Sequence, residues 1–351
     1  MAEGYVIGVD LGGTKLLAGA VGADLSVIHR TNRPVYGLSQ DELVQMVADA
    51  VDEIRTAVGE IRAIGFGIPC TFDSRSGMAV QAVNVPLKDI AFGDVMAERL
   101  QMPVVVDNDA NCHTVCESRL GVAKGATEVT LLTLGTGIGG GLLLRGEVYR
   151  GWIMGGAEMG HMIVDMDGRP CQGNCPNWGC LESVASGTAL VREASLAVAK
   201  RPDTALGEAL EEGRELTGPL ITELATAGDP VARDAIETIG RALGVGIVNL
   251  VNTFNPQVVV IGGGVIAAGE LLLEPAREVM RQRALSPAKD VVRVEAARFG
   301  PEAGMIGAGL LARDLLDGKP TGAIEAGVTR LAARDAASTR PAGSHSRESS
   351  S

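Results

Sequence analysis

An α/β fold made of two copies of one domain is what the sequence predicts, and three observations predict it. Apolar segments of strand length alternate with segments of helical period along most of the chain. A strand, a glycine-rich turn and a returning strand at residues 5–21 recur at residues 129–144. The length of 351 residues, 46% hydrophobic and 21% charged, suits about two globular domains. Aromatic residues make up only 3%, so the core has to be packed from Ala, Val, Leu, Ile and Gly.

The elements follow in order. "YVIGVD" reads as a strand entering the turn Gly12-Gly13-Thr14, and "KLLAGAV" as the strand leaving it. So short a connection makes a hairpin rather than a crossover. Ser39 and Glu42 form a capping box ahead of a helix whose apolar positions are Leu43, Val47, Val51, Ile54 and Val58. "IRAIGFGIP" reads as a buried strand and "PVVVDNDAN" as a short strand ending in polar residues. "VTLLTLGTGIGGGLLL" repeats the hairpin. "ARDAIETIGRALGVGIVNLVNTFNPQVVVIGGGVI" gives a long helix, a break at Pro256, a strand, and a third glycine turn at Gly262-Gly263-Gly264. From Lys319 the composition turns to Ser, Ala, Arg and Pro, which predicts a disordered tail over 319–351, with "GVTRLAARDAA" as an optional short helix.

Charge and hydropathy exclude several classes of function. A formal net charge of −12 argues against a nucleic-acid surface, which needs clustered Lys and Arg. No apolar run approaches the roughly 20 residues of a membrane span. The N-terminus enters a strand pattern almost at once and lacks the basic-then-apolar build of a signal peptide. A cytoplasmic location is expected, where thiols stay reduced.

Glycines in the two hairpin turns leave backbone N–H groups able to face an anion with no Cβ in the way. One such turn alone is an ordinary hairpin. Two related turns, with Gly262–Gly264 after a buried strand, point to a nucleotide gripped between two domains. None of the three is a GxxxxGK[ST] loop or a GxGxxG in the required context, which disfavours P-loop and dinucleotide readings. The cluster Asp107, Asn108, Asp109 and Asn111 follows an apolar strand, where a sheet edge offers side chains to a cleft. One of the four serves as a helix cap, and a carboxylate flanked by amides suits binding and deprotonating a hydroxyl. Residues 158–183, "EMGHMIVDMDGRPCQGNCPNWGCLES", gather His161, Cys171, Cys175 and Cys180. Metal site, disulfide loop and chance compete there. A reduced compartment and an odd number of clustered thiols weaken the disulfide, while one His and three Cys make a good tetrahedral zinc set.

Taken jointly and in this order, DxGGTK (Asp10 to Lys15), NDAN (Asn108 to Asn111), LGTGIGGG (Leu134 to Gly141), ExGH (Glu158 to His161) and the cysteine loop ending in GCLE (Gly179 to Glu182) resemble the ROK family. That family comprises bacterial sugar kinases and sugar-responsive repressors of the actin/hexokinase/Hsp70 fold, and the likeness runs from about residue 4 to about 314. It implies two RNase H-like α/β domains around a central cleft, the first over 1–115 plus a returning helix at 303–316, the second over 116–302 with the zinc loop. It implies a structural zinc on His161, Cys171, Cys175 and Cys180. Sugar contacts fall to Asn84, Asn108, Asp109, Glu158, His161 and Glu182.

The activity implied is transfer of the γ-phosphoryl group of ATP to a sugar hydroxyl, with Asp109 as the base and an ordinary low carboxylate pKa sufficing. Gly12, Gly13, Thr14 and Lys15, with Thr136 and Gly137, are the expected phosphate cradle. Asp10 orients Mg²⁺, and Gly262, Gly263 and Gly264 pack near the adenosine. Glucose is the default substrate. N-acetylglucosamine, N-acetylmannosamine, mannose, fructose and allose stay open, as does polyphosphate as donor. A non-catalytic sugar sensor is the alternative of a different class. The repressors carry a DNA-binding segment before DxGGT, whereas here nine residues precede Asp10. Homodimers or homotetramers are usual in the family.

Two departures from the family pattern stand out. The cysteine loop reads CQGNCPNWGC rather than CxCGxxGC, so Cys171 lies further from Cys175, still within ordinary zinc-ligand spacing. Cys70 stands where glycine is common, and either narrows the cleft or fills the core.

Overall fold

The computed structural model describes residues 4–82 and 84–327. Its first half opens with β1 (Tyr5–Leu11), β2 (Lys15–Val21) and β3 (Val27–Pro34), followed by α1 (Gln40–Val58) and β4 (Ile61–Ile68). A small sheet of β5 (Cys70–Asp73), β6 (Met78–Ala82) and β7 (Lys88–Ile90) comes next, then α2 (Phe92–Leu100), β8 (Val104–Asn108) and α3 (Asp109–Arg119). The second half contains β9 (Val129–Leu134), β10 (Ile138–Leu144), β11 (Glu147–Val148) and a 3₁₀ turn at Met159–His161. It continues through α4 (Leu181–Ala185), α5 (Gly187–Lys200), α6 (Ala205–Glu211), α7 (Gly218–Ala227) and α8 (Pro230–Phe254). The chain then runs through β12 (Val258–Gly262), α9 (Glu270–Arg283), α10 (Ala288–Val291), β13 (Arg293–Ala296), α11 (Ala303–Leu316) and β14 (Ile324–Ala326).

The duplication is written in the strand order. One sheet runs β3-β2-β1-β4-β8-β14 and the other β11-β10-β9-β12-β13. In both, the first three strands form an antiparallel meander, and the next two lie parallel to the first strand. The parallel strands β1, β4 and β8 therefore end at one edge, which delivers Asp10 and the Asn108-Asp109 pair to the same place.

Local chemistry accounts for the main elements. Ser39 caps α1 in a complete capping box, with its N–H donated to Glu42 Oε2 at 2.7 Å. The apolar stripe Leu43, Val47, Val51 and Ile54 is fully buried against the first sheet's core, where Phe66 and Phe92 meet edge to face at 5.4 Å. Cys70 is buried in this core, its thiol on the Thr71 carbonyl, so of its two readings the filler is the one found.

α11 reaches the first sheet by backbone contact. A Cβ at Gly8 of β1 would stand 1.9 Å from the Met305 carbonyl oxygen, and one at Gly65 of β4 would stand 1.9 Å from that of Ala308. Glycine is the one residue that permits so close an approach. The expected disordered tail fails for its first residues: Ile324–Ala326 pair antiparallel with Val104–Val106 and bury Ala326, because β8 would otherwise present an open edge. The rest of the tail expectation, including the optional helix, lies outside the described residues.

Candidate active site

Asp109 is the first residue of α3, at the mouth of the first sheet. Its neighbour Asn108 is the helix cap, accepting from the Ala110 N–H at 2.9 Å and the Asn111 N–H at 3.4 Å. What Asn108 can still offer a ligand is its amide N–H. Asp107 is fully buried and saturated: Oδ1 accepts from the Asn108 N–H and Asn111 Nδ2, each at 2.8 Å, while Oδ2 takes two donors from Arg150. Of the two carboxylates, only Asp109 is left for chemistry.

The ordinary low pKa expected for Asp109 does not hold. Loss of water around the carboxyl, reinforced by the charge of Asp10, pushes it up to about 6, with His113 pulling the other way. His113 lies one helical turn beyond Asp109, and its Nε2 is 3.9 Å from Asp10 Oδ2 with 13% of the side chain exposed. Those carboxylates raise the imidazole against the desolvation that would lower it. Reading the sequence missed His113. Its spacing from Asp109 is helical, but its meeting with Asp10 is a tertiary event. Asp10 itself sits against the first turn of α11, where a Cβ at Gly304 would stand 2.5 Å from the carboxyl carbon.

Glu158 stands at the N-cap position of the 3₁₀ turn and His161 is its last residue. Partial desolvation raises the Glu158 carboxyl, His161 opposes this, and Glu182 adds to it. The ligand atoms of His161, Cys171, Cys175 and Cys180 all lie within 4.8 Å of one another. Cys171 Sγ is 3.5 Å from His161 Nδ1, and Cys175 Sγ is 4.0 Å from Cys180 Sγ. A tetrahedral zinc with Zn–S near 2.3 Å needs S···S edges of about 3.8 Å, so the set fits, widened loop included. With Nδ1 turned to the thiols, Nε2 is the nitrogen left for another partner.

Glu182 bridges this cluster to the second glycine turn. Its Oε2 accepts from the Ile138 N–H at 2.7 Å, and its Oε1 lies 3.7 Å from Cys171 Sγ. Gln172, within the widened loop, donates to Ser186 Oγ at 3.0 Å beside the same turn. The oxygen of Glu182 left for a ligand is thus the one facing the His/Cys₃ cluster.

The glycine turns close on themselves: the Gly12 N–H donates to the Lys15 carbonyl at 2.8 Å, and the Gly135 N–H to the Gly137 carbonyl at 2.9 Å. Asn84 packs over the first, since a Cβ at Gly13 would stand 2.5 Å from its own Cβ. The start of α5 holds the second through the Gly187 N–H to Gly135 and Thr188 Oγ1 to Thr136, each at 2.8 Å. A cavity of about 780 Å³ lies between them. Thr14, Gly135, Thr136, Gly187, Thr188 and Gly264 line its polar end, and Leu190, Val191, Leu216, Pro219 and Val265 its apolar wall. Of the third glycine turn only Gly264 reaches the cavity. Gly262 ends the buried strand, and Gly263, at φ +83°, packs on the Leu134 backbone. A helix start and two glycine turns beside an apolar wall suit a phosphate chain and a flat base.

A duplicated α/β fold with an acid edge, a phosphate-type cavity and a His/Cys₃ cluster defines a nucleotide-dependent sugar-kinase class of protein. The model of the ROK family matches residues 6–315, and the chain belongs to that family. A glucokinase of Halalkalibacterium halodurans is 33% identical over 319 residues, 89% of this chain and 96% of its own. A ROK family glucokinase from Streptomyces griseus, solved in complex with glucose and AMPPNP, superposes with a TM-score of 0.81 at 34% identity, covering 89% of this chain and all of its own. A xylose repressor of Caldicellulosiruptor bescii is 28% identical over 87% of this chain and 77% of its own.

Proposed function

We propose that the protein is a glucokinase, transferring the γ-phosphoryl group of ATP to the terminal hydroxyl of glucose. The observation that carries this reading is the placement of Asp109, the one unsaturated carboxylate of its cluster, on the sheet edge shared with Asp10. Glucokinases at about a third identity over nearly the whole chain support it.

In this reading Asp109 accepts the hydroxyl proton as the sugar oxygen attacks the γ-phosphorus. A carboxyl near 6 is mostly ionised at neutral pH yet basic enough to take a proton late, as a loose transition state requires. Asn84, Asn108, Glu158, Glu182 and the Nε2 edge of His161 hold the sugar hydroxyls. Backbone N–H groups of Gly13-Thr14 and of Thr136-Gly137 hold the phosphates, while Gly12 shapes the first turn, its own N–H being taken by the Lys15 carbonyl. Lys15 adds a positive charge, and the base lies along the apolar wall beyond Gly264. Asp10 would hold Mg²⁺ brought in with ATP, an ion that neutralises charge on the phosphate oxygens. The zinc of His161, Cys171, Cys175 and Cys180 is structural, since the chain supplies all four ligands. Closure of the two halves excludes water that would otherwise take the phosphoryl group.

Among the described residues no helix is long and apolar enough to cross a membrane. A cytoplasmic location, where ATP is made, and a homodimer or homotetramer complete the proposal.

The test is a coupled ADP-release assay with Mg·ATP against glucose, N-acetylglucosamine, N-acetylmannosamine, mannose, fructose and allose, repeated with polyphosphate as donor. Turnover strongest on glucose, and lost by at least about 100-fold in Asp109→Asn, is expected for a general base. Turnover on another sugar keeps the mechanism and replaces the substrate. No turnover on any sugar by folded, zinc-replete protein overturns the catalytic reading in favour of a sugar sensor.

A further inference from the structure

Asp107, in β8 of the first sheet, and Arg150, just after β11 of the second, lie 43 residues apart and meet in a buried ion pair. Arg150 Nε and Nη2 both donate to Asp107 Oδ2, at 2.9 and 2.6 Å, and Nη1 donates to the Val148 carbonyl at 3.2 Å. The side chains are 9% and 0% exposed. Such a pair is poor evidence of stability, because desolvating both charges offsets most of their attraction. Its geometry is more telling.

Arg150 is held at both ends. Its guanidinium grips the tip of β8, two residues before Asp109. Its carbonyl accepts from the Gly156 N–H at 2.9 Å, closing the loop that leads straight into Glu158 and the 3₁₀ turn of His161. Inside that loop the backbone strands touch: a Cβ at Gly156 would stand 2.8 Å from the Gly151 nitrogen. The loop is therefore a compact block with little internal slack. The Arg150 side chain joins it to the β8 tip, and the Ser74 N–H on the Ile153 carbonyl at 3.2 Å and Met154 buried in the first sheet's core hold its far side. Asp107 has no lone pair left for a ligand, so the acid in the cluster nearest the base serves as the strut's anchor.

We propose that Arg150 is a positioning residue for the sugar: its ion pair with Asp107 sets the Glu158–His161 loop at a fixed distance from Asp109. The proposal rests on the kinase reading above. Phosphoryl transfer needs the acceptor hydroxyl within hydrogen-bond reach of the base while the ring is held by the loop. A misplacement of about 1 Å at a reacting centre costs on the order of 100-fold in rate. The cavity proposed for the nucleotide is lined from other elements, among them Thr14, Gly135, Thr136 and the start of α5, and not by Arg150.

The test is steady-state kinetics of Arg150→Met and Arg150→Lys beside the parent protein, with KM for sugar and for ATP measured separately and thermal unfolding recorded for each. Arg150→Met should raise the sugar KM at least about tenfold and lower kcat about 10- to 100-fold, with the ATP KM within about twofold. Arg150→Lys keeps the charge but offers a point donor in place of the planar fork, and should recover part of the loss. An unchanged sugar KM and kcat in folded Arg150→Met overturns the proposal, as does an ATP KM that moves as far as the sugar KM. If Arg150→Met does not fold, Arg150→Lys decides by the same split: a selective rise in sugar KM supports the strut, and parental kinetics or an equal change for both substrates overturns it. Failure of the kinase reading would appear in the parent protein, as no turnover on any sugar, whereas failure of the strut appears only in the variants.

Discussion

Replacing Asp109 by Asn should stabilise the protein while abolishing its chemistry. The carboxyl is held at about 6 in the folded chain against 3.8 for the free group. A folded-state value above the unfolded one means that ionising Asp109 opposes folding. That cost is small below pH 4, grows as the pH rises, and is complete once the pH passes the folded value. At 1.36 kcal/mol for each pKa unit, the gap is worth up to about 3 kcal/mol at pH 7 and about 0.5 kcal/mol at pH 4. Asn keeps the shape without the charge, so Asp109→Asn should gain up to about 3 kcal/mol at pH 7 and little at pH 4. The assay is urea unfolding of both proteins, without ligands, across that pH range. Equal or lower stability of the variant at pH 7, or a gain that ignores pH, would refute the account of Asp109 as a desolvated, charge-crowded base.

Two further perturbations probe the neighbouring elements. Gly137→Ala would place a methyl 2.2 Å from Glu182 Oε2 and force that carboxylate off the Ile138 N–H, so the ATP KM should rise about tenfold, with roughly 1–3 kcal/mol at stake in the lost bond; an unchanged ATP KM would deny the turn its role. Cys175→Ser should lower zinc content, measured by elemental analysis, and destabilise the 158–183 loop, raising the sugar KM; full zinc retention would show that the cluster does not hold the ion as described.

What could be read from the sequence is what local chemistry decides. The capping box at Ser39, the twin glycine hairpins and the polar end of β8 each announce themselves within a few residues, and each forms as expected. What could not be read depends on partners far along the chain. Arg150 is an unremarked arginine until Asp107 arrives beside it, and His113 is one more polar helix residue until Asp10 does. β14 escaped for the same reason: three residues of ordinary composition become a strand because β8 offers them an edge. Gly262 and Gly263 mislead in the opposite sense. Their clustering looks like a binding turn, but it serves the end of a buried strand and a backbone crossing, and only Gly264 faces the cavity.

The repeated strand order also carries a division of labour. Two units of the same topology face each other, yet their working edges have opposite electrical character. The first spends its edge on side chains that carry formal charge, Asp10 and Asp109. The second spends its edge on main-chain dipoles, at Thr136-Gly137 and at the start of α5. A polyanion set between two acidic edges would be expelled, and one set between two dipolar edges would have nothing to take up a proton. In the proposed reading, pairing one edge of each kind gives the cation and the proton the first wall and sets the phosphates between the Gly13-Thr14 turn and the second, so the reaction coordinate runs across the gap between the copies rather than along either of them.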